Sequence, residues 1–392
     1  MGIGPFEFAA PRQIVFGWGR RAELTALAAP FARRVFLVTG SRTLEETGRV
    51  DDLLTGLRAG GIEPVHLGSV AGEPTVRDVD LAAADLLSHQ PAAGDAMLAL
   101  GGGSAIDLAK AVAAMATSPD RVSVKEFLEG VGSGRTIDWE PLPIIALPTT
   151  GGTGAEATRN AVISSQFPSF KKSLRSPRLV PRLVVVDPEL AASAPPHVTA
   201  WTGMDAITQL LESYVSRRAT PITRALCETG MTGALTALRA AVDDGESRPA
   251  REKMAQAALL SGMALANSGL GMAHGVAAAL GVHGQISHGL ACAVMLPVAI
   301  EANREQCRAD LARAARLLTG SEATDDDAAI DGLLGELEGF YSEAEIPCWL
   351  SSLNISIELL GDLVRDSRGS SMSGNPRDLS DDELAQLLEA NW

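Results

Sequence analysis

Two groups of side chains in the second half of the chain have the types and spacing of metal ligands. Asp205 and Gln209 are spaced i, i+4, so on a helix they share one face. His274 and His288 are fourteen residues apart in a glycine-rich stretch. Carboxylate and imidazole ligands suit iron(II) or zinc, and three protein ligands leave coordination positions open for a substrate. From the residues alone, however, a structural role is the better explanation of each histidine, because the spacing is not a zinc-finger pattern.

A glycine run in the first half could bind an anion. Residues 101–104, GGGS, follow the apolar run 97–100 and precede a helical stretch at 105–116. This order directs backbone N–H groups and the positive end of a helix dipole toward an anion such as a pyrophosphate. The alternative is a plain tight turn in which Ser104 and Asp107 form a capping-box-like pair.

A second loop has similar chemistry. Residues 148–156, PTTGGTGAE, follow the apolar run 144–147 and combine the hydroxyls of Thr149, Thr150 and Thr153 with three glycines. A plain connection has little reason to cluster these residue types. Two such loops at the carboxyl ends of strands are typical of a nucleotide crevice in an α/β sheet, so we predict cofactor contacts in both.

The elements that must position these loops are short apolar strands alternating with Ala/Leu-rich helices. This alternation predicts a parallel sheet covered by helices. The runs are almost continuously apolar, which is typical of strands buried on both faces. The predicted strands lie at 35–38, 64–67, 97–100, 144–147 and 183–186.

The strand signal fades after about residue 200, where segments such as 224–242 and 252–266 have helical spacing of apolar residues. The stretch 187–196 contains three prolines and is the natural linker, because proline interrupts both strands and helices. We therefore predict a dinucleotide-binding α/β domain over 1–190 and a helical metal- and substrate-binding domain over 191–392.

Composition excludes several classes of function. A chain of 392 residues exceeds what one hydrophobic core usually organises. Its formal net charge of −15 repels nucleic-acid backbones, so no nucleic-acid partner is expected. No run of 18 or more apolar residues is present, which predicts a soluble protein with no membrane partner.

The N-terminal stretch and the cysteines bear on the compartment. The first residues lack the pattern of a secretory signal, so we predict a cytoplasmic protein. The four cysteines are widely spaced without a C-x-x-C pair, which argues against disulfides and against a thiolate zinc site. We interpret them as buried free thiols.

Four motifs together carry a resemblance to a known family. GGGSAIDLAK, PTTGGTGAE, TGMDA and GMAHGVAAALGVHGQISHG occur in this order, and weaker similarity extends from FGWG at 16–19 to NPR at 375–377. The chain resembles the iron-containing, or group III, alcohol dehydrogenases over nearly its whole length.

The resemblance implies a fold and a site. The fold is an N-terminal α/β dinucleotide-binding domain with a Rossmann-like parallel sheet, followed by an all-α metal-binding domain, as in dehydroquinate synthase. A cleft between the domains would hold the nicotinamide and the metal, and family habit suggests a homodimer. The implied metal ligands are Asp205, His274 and His288. The implied cofactor contacts are Gly102, Gly103, Ser104, Thr149, Thr150, Thr153, Asn160 and Lys172, to which we add Gly40, Ser41 and Asp107.

Cofactor preference should be decided just after the second strand, at Gly40, Ser41 and Arg42. NAD-preferring relatives usually carry Asp where this chain has Gly40, and Arg42 could pair with a 2′-phosphate. We therefore expect NADPH to be accepted and to be favoured over NADH. Lys172 fits a cation beside phosphates or ribose hydroxyls, with a plain surface lysine as the alternative.

Three positions depart from the family pattern. Gln209 replaces the usual fourth ligand, a histidine, which predicts weaker iron(II) binding and a shift toward zinc or manganese. Alternatively, Gln209 only hydrogen-bonds a neighbour. Ala278 and Val298 also replace family histidines, so proton transfer should run differently. His283 is a candidate substitute relay, with a solvent-facing loop histidine as the alternative.

The expected activity is reversible hydride transfer between nicotinamide C4 and an alcohol or aldehyde whose oxygen is bound by the divalent metal. Glycerol or polyol dehydrogenases and maleylacetate-type keto acid reductases are alternatives of the same architecture. A non-enzyme alternative is a nucleotide-binding protein with an impaired metal site, because the family histidines are missing where Gln209 and Ala278 stand.

Overall fold

A computed structural model describes residues 4–40 and 43–392, which divide into two compact units. The sheet unit comprises residues 9–150 and 155–193. The helical unit comprises residues 194–392, the short segment 151–154 and the described residues before Ala9. The chain thus passes into the helical unit at Ala194, inside the stretch predicted as a linker. The loop with the sequence PTTGGTGAE contributes to both units.

The sheet unit is built on six parallel strands in the order β1-β8-β5-β4-β2-β3. Each apolar run predicted as a strand lies in this sheet, and β1 is an edge strand that the sequence analysis missed. A separate two-stranded antiparallel sheet is formed by β6 and β7. The strands are β1 (Gln13–Phe16), β2 (Arg34–Thr39), β3 (Glu63–Ser69), β4 (Asp95–Gly101), β5 (Ile144–Pro148), β6 (Asn160–Gln166), β7 (Ser169–Arg175) and β8 (Leu183–Val186).

Both faces of the six-stranded sheet are buried. Along β4, Met97 and Ala99 point into one apolar core, whereas Leu98 and Leu100 point into another. Successive side chains of a strand lie on opposite faces, so an uninterrupted apolar run fills both cores. The predicted α/β class with a Rossmann-like parallel sheet is confirmed.

The helical unit surrounds one large core, to which the helices from α6 onward contribute. The helices of the whole described chain are α1 (Leu24–Ala28), α2 (Thr43–Glu46), α3 (Arg49–Ala59), α4 (Val76–Ser88), α5 (Gly103–Met115), α6 (Pro196–Val215), α7 (Pro221–Met231), α8 (Ala234–Asp243), α9 (Arg248–Ser268), α10 (Met272–Gly284), α11 (His288–Thr319), α12 (Asp326–Glu343), α13 (Leu360–Asp366) and α14 (Asp381–Ala390).

Two sequence predictions about this part of the chain need correction. The segment 224–242, for which the sequence predicts helical structure without a break, forms parts of two helices, α7 and α8, which are separated at Gly233. Gly233 has φ 69°, a left-handed conformation that favours glycine and ends regular helix. The linker is also shorter than predicted. Asp187 is buried in the sheet unit, where its carboxylate accepts hydrogen bonds from the backbone of Gly19 and the side chain of Arg21.

Within the described residues, no single helix is long and apolar enough to cross a membrane. Helices α9 and α10 reach the required length and apolar content only when they are taken together, and the chain bends by 100° between them.

Candidate active site

The carboxyl ends of three neighbouring strands bring the predicted cofactor loops of the sheet unit together. The amide of Gly40, which follows β2, donates to the carbonyl of Leu100 at 2.9 Å. The amide of Thr149, which follows β5, donates to the carbonyl of Gly101 at 3.1 Å. Gly40, the glycine run (residues 101–104) and the threonine loop (residues 148–156) therefore lie side by side at one edge of the sheet, as predicted for a nucleotide crevice.

Helix α5 begins at Gly103 with Gly102 as its N-cap, and no side chain caps this terminus. The interpretation of Ser104 and Asp107 as a capping pair is therefore wrong, because the helix begins before Ser104. A Cβ on Gly101 would lie 2.7 Å from the Cβ of Ala105 and 2.9 Å from the Cα of Gly40. Glycine is therefore required at position 101 by this close packing. The uncapped first turn of α5 is the kind of helix terminus that binds anions.

Lys110 is a buried lysine in the same motif that the sequence analysis overlooked. Its ammonium group donates to the carbonyls of Ala155, Thr158 and Asn160 and to the hydroxyl of Thr158, at 2.5 to 3.0 Å. We call Lys110 and these acceptors the lysine anchor. The lysine anchor holds residues 155–160, from the end of the threonine loop to the start of β6, against α5.

Burial shifts the pKa of Lys110, Asp107 and Glu156, three ionisable groups at the lysine anchor. Desolvation lowers the pKa of Lys110 to about 8, although the charges of Asp107 and Glu156 oppose the shift. Desolvation raises the pKa of Glu156 to about 7 and that of Asp107 to about 6, against the charge of Lys110. The Asp107 carboxylate accepts a hydrogen bond from the amide of Val162 at 3.1 Å. Asp107 thus ties the β6–β7 hairpin to α5.

The remaining predicted cofactor residues lie on or beside this hairpin. Asn160 is the first residue of β6. Lys172 lies on β7, where it pairs with Ile163 of β6. Lys172 is partly buried, so it is not a fully exposed surface lysine. The sequence did not reveal the hairpin, because its strands are rich in polar residues. Ser41 and Arg42 lie outside the described residues.

The helical unit brings the three predicted metal ligands together and adds a fourth residue. Asp205 on α6, His274 on α10, and His288 and Cys292 on α11 place one ligand atom each within 4.8 Å of one another. We call these four side chains the ligand cluster. Oδ1 of Asp205 lies 3.1 Å from Nε2 of His274 and 4.0 Å from Nε2 of His288. Sγ of Cys292 lies 3.7 Å from Nε2 of His288.

Glu212 orients the His274 ring. Its carboxylate lies 2.7 Å from Nδ1 of His274 and also accepts the amide of Ala273 at 2.6 Å. One side chain thus binds the first turn of α10 and directs Nε2 of His274 toward the cluster. A carboxylate behind a ligand imidazole is a common feature of metal sites, where it fixes the tautomer. The i, i+7 spacing from Asp205 was a signal that could have identified Glu212.

Asp205, His274 and Cys292 are buried and His288 is partly buried, and the charges of the cluster act on one another. Burial alone would raise the pKa of Asp205, but the neighbouring His288 and His274 imidazoles hold that pKa at about 2. Burial alone would lower the pKa of His274, but Cys292, Asp205 and Glu212 raise it well above its ordinary value. A carboxylate and imidazoles held this close favour positive charge at their centre.

Gln209 lies one turn from Asp205 but is oriented by neighbours. Its amide nitrogen donates to Oδ1 of Asp205 at 3.0 Å and to the carbonyl of Thr153 at 3.2 Å. Its amide oxygen accepts the hydroxyl of Ser261 at 3.2 Å. Thr153 belongs to segment 151–154, which packs closely on the helices, since a Cβ on Gly154 would lie 2.5 Å from the Cα of Gly262.

The other histidine proposed from the sequence is not in the ligand cluster. Nε2 of His283 lies 2.6 Å from the carboxylate of Asp366 at the partly exposed end of α10. Ala278 lies on the same helix, and Val298 is buried on α11. Among the cysteines, Cys227 and Cys292 are buried and Cys348 is exposed, so the interpretation of all four as buried thiols is wrong.

The donor set fits a divalent transition metal. One carboxylate, two imidazoles and a thiol converge in a buried region, and such ligands bind zinc or iron(II). Cys292 was not predicted as a ligand because no second cysteine lies near it in the sequence. The spacing of Cys292 one helical turn after His288 was the available signal.

A Rossmann-like sheet unit is followed in this chain by a helical unit in which a carboxylate and two histidines converge, and comparison with known proteins identifies the family. Residues 11–188 match the model of iron-containing alcohol dehydrogenases. Residues 199–392 match the C-terminal model of the same family. The chain belongs to the iron-containing alcohol dehydrogenase family.

Individual relatives agree over most of their length. The chain is 32% identical to long-chain-alcohol dehydrogenase 1 of Geobacillus thermodenitrificans, over 95% of this chain and 93% of that one. It is 30% identical to the NADPH-dependent butanol dehydrogenase of Clostridium saccharobutylicum, over 98% and 97%. A crystal structure of 1,3-propanediol oxidoreductase superimposes with a TM-score of 0.92 at 28% identity, covering 99% of this chain and all (100%) of the other.

Proposed function

We propose that the chain is a metal-dependent, NAD(P)-dependent alcohol dehydrogenase that also reduces aldehydes. Hydride would pass reversibly between nicotinamide C4 and the carbon that bears the alcohol or carbonyl oxygen. The observation that carries the proposal is the convergence of Asp205, His274 and His288 from three helices in a chain of this family. A divalent metal bound there would supply Lewis-acid polarisation of the substrate oxygen.

The side chains of the helical unit have separable tasks in this proposal. Asp205, His274 and His288 would hold the metal. Glu212 keeps Nε2 of His274 directed toward it, and Gln209 restrains the Asp205 carboxylate through its amide nitrogen. The burial of Asp205 and His274 excludes bulk water from the ligand atoms, which strengthens their electrostatic interaction with a cation.

The sheet unit would bind the cofactor. The uncapped first turn of α5, with Gly102, Gly103 and Ser104, is suited to the pyrophosphate. Thr149 and Thr150 add hydroxyls at the same edge. Asn160 and Lys172, on the hairpin that the lysine anchor positions, complete the proposed contact set.

Two features bear on the choice between NADPH and NADH. Gly40 removes the acidic group that NAD-preferring relatives carry, and it packs tightly, since a Cβ there would lie 3.1 Å from the Cα of Gly101. Glu45, however, accepts hydrogen bonds from the hydroxyls of Thr39 and Ser69 at the ends of β2 and β3. A carboxylate at this edge favours a ribose 2′-OH. We propose that both cofactors are accepted, with Gly40 favouring NADPH.

For the substrate, we propose neutral alcohols and aldehydes. The relatives named above are dehydrogenases of long-chain alcohols and butanol and an oxidoreductase of 1,3-propanediol. Polyols are the second candidate, because an aspartate with two histidines is the ligand set expected for glycerol-type enzymes. A cytoplasmic location and a homodimer also belong to the proposal, and the acidic net charge of −15 supports the absence of a nucleic-acid partner.

The test is a cofactor-consumption screen on protein loaded with zinc or with iron(II). Primary alcohols, glycerol, the corresponding aldehydes and maleylacetate are assayed with NAD(H) and NADP(H). We expect the highest kcat/KM for a neutral alcohol or aldehyde, and activity that disappears on chelation. Turnover of maleylacetate alone, or of no substrate by the fully loaded protein, contradicts the proposal.

A further inference from the structure

The ligand cluster raises the question of which residue supplies the fourth ligand. Gln209 stands at the position where the family is expected to have a histidine ligand. Either another side chain supplies the fourth ligand, or the fourth coordination position has no protein ligand. We propose that the Cys292 thiolate is the fourth ligand and that Gln209 does not bind the metal. This inference rests on the proposed function, because it assumes a metal at Asp205, His274 and His288.

The hydrogen bonds of Gln209 direct its amide oxygen toward Ser261 and its amide nitrogen toward Asp205. Only the oxygen of an amide coordinates a cation, and the orientation of this amide is decided by its partners. The Asp205 carboxylate and the Thr153 carbonyl are acceptors only, so the NH2 group must face them. The oxygen then faces the Ser261 hydroxyl, whose single proton has two acceptors, this oxygen at 3.2 Å and the Ala258 carbonyl at 2.8 Å. Reversing the amide would place its oxygen against two acceptors.

Cys292, in contrast, is positioned as a ligand. It lies one helical turn after His288 on α11, so the two side chains share a face. Its Sγ belongs to the set of ligand atoms that lie within 4.8 Å of one another. The side chain is fully buried among the cluster and the core of the helical unit. Cys292 would therefore be able to hold a divalent ion together with Asp205, His274 and His288, and its sulfur would supply a soft donor.

Thiolate ligation changes the chemistry of the site. When a divalent ion binds, the Cys292 thiol would release its proton to solvent, and the sulfur would donate an electron pair to the ion. Two anionic ligands, Asp205 and Cys292, would then neutralise the two positive charges. A soft sulfur donor beside two imidazoles favours zinc over manganese. Replacement of the family histidine by Gln209 already predicts weaker binding of iron(II), and a Cys292 ligand would add a preference for zinc.

The decisive experiment is X-ray absorption at the zinc edge of the full-length, zinc-loaded protein. We expect one sulfur neighbour at about 2.3 Å and nitrogen or oxygen neighbours at about 2.0 to 2.2 Å. The sulfur shell should vanish in Cys292→Ser and remain in Cys227→Ser, a matched change at a buried cysteine outside the cluster. It should also remain in Gln209→Ala. The wild-type spectrum alone is decisive if a variant does not fold.

Metal titration gives a second measurement. Cys292→Ser should weaken zinc binding by on the order of tenfold or more, with a smaller change for manganese. Gln209→Ala should change zinc affinity much less than Cys292→Ser does. Stoichiometric zinc without a sulfur neighbour overturns the assignment of Cys292 and leaves the proposed function intact. Alcohol dehydrogenase activity in protein that binds no metal overturns both.

Discussion

The two units of this chain each contain a buried polar cluster, and the clusters are satisfied in different ways. In the sheet unit, the lysine anchor supplies its own cation, and the Lys110 ammonium meets acceptors from the adjoining chain. In the helical unit, the ligand cluster directs a carboxylate, two imidazoles and a thiol toward one another. Buried polar groups require partners in both cases. The first cluster is therefore satisfied by the protein itself, whereas the second has the donor set of a metal site, and we propose that a metal ion completes it.

The largest effect should come from removing the anionic ligand of the second cluster. Asp205→Asn keeps the size of the side chain but loses its charge. We expect kcat/KM to fall by roughly a thousandfold or more, because metal activation supplies several kcal/mol to such a reaction. Metal analysis should show a matching loss of bound metal. Full activity in Asp205→Asn would remove this residue from the site.

The lysine anchor should respond through stability instead. Lys110→Met leaves buried carbonyls without their donor, and we expect a loss of about 4 kcal/mol in the free energy of unfolding. Bound metal per folded chain should not change. Lys125→Met, at a partly buried lysine outside the anchor, is the matched control for chemical denaturation. Loss of metal without loss of stability in Lys110→Met would contradict the distinction between the clusters.

Glu156 makes the lysine anchor sensitive to pH. Its pKa is raised from 4.5 to about 7 by burial, opposed by a backbone hydrogen bond and the charge of Lys110. The folded state therefore holds a proton that the unfolded state loses, and the resulting stability is present below about pH 4.5 and lost as pH rises through 7. Up to about 3 kcal/mol is involved. Glu156→Gln should remove this dependence, so denaturation at pH 5.5 and pH 8 should differ less than in wild type. An unchanged difference would contradict this account of Glu156.

A smaller effect on metal binding is expected from Glu212, whose carboxylate contacts the His274 ring on the side away from the ligand cluster. Glu212→Gln retains an acceptor for His274 but removes the charge, and such changes typically cost about 10 to 100-fold in metal affinity. Glu228→Gln, on α7 outside the cluster, is the matched control. We expect zinc titration to show weaker binding while kcat at saturating metal changes little. Equal effects of the two variants would show that Glu212 does not orient the ligand.

The sequence predicted the sheet more completely than it predicted either cluster. Apolar runs such as 97–100 and 144–147 identify strands locally, and glycines at their ends identify the loops. The β6–β7 hairpin was missed because its strands are rich in polar residues, and the contacts that tie it to α5 come from Asp107 and Lys110, which are distant in sequence. In the helical unit, the motifs predicted Asp205, His274 and His288 as ligands, and the structure brings these three side chains together. Cys292 and Glu212 were not predicted, because their proximity to these side chains follows from where α6, α10 and α11 meet.

The central claim is that activity depends on one metal held by the ligand cluster. The most direct test removes metal from the purified protein by chelation and then titrates zinc while alcohol oxidation and bound metal are measured together. We predict that activity is lost on chelation and returns in proportion to bound zinc, reaching its maximum at one ion per chain. Full activity in the metal-free protein, or one bound zinc per chain without restored turnover of any alcohol or aldehyde, would contradict the claim.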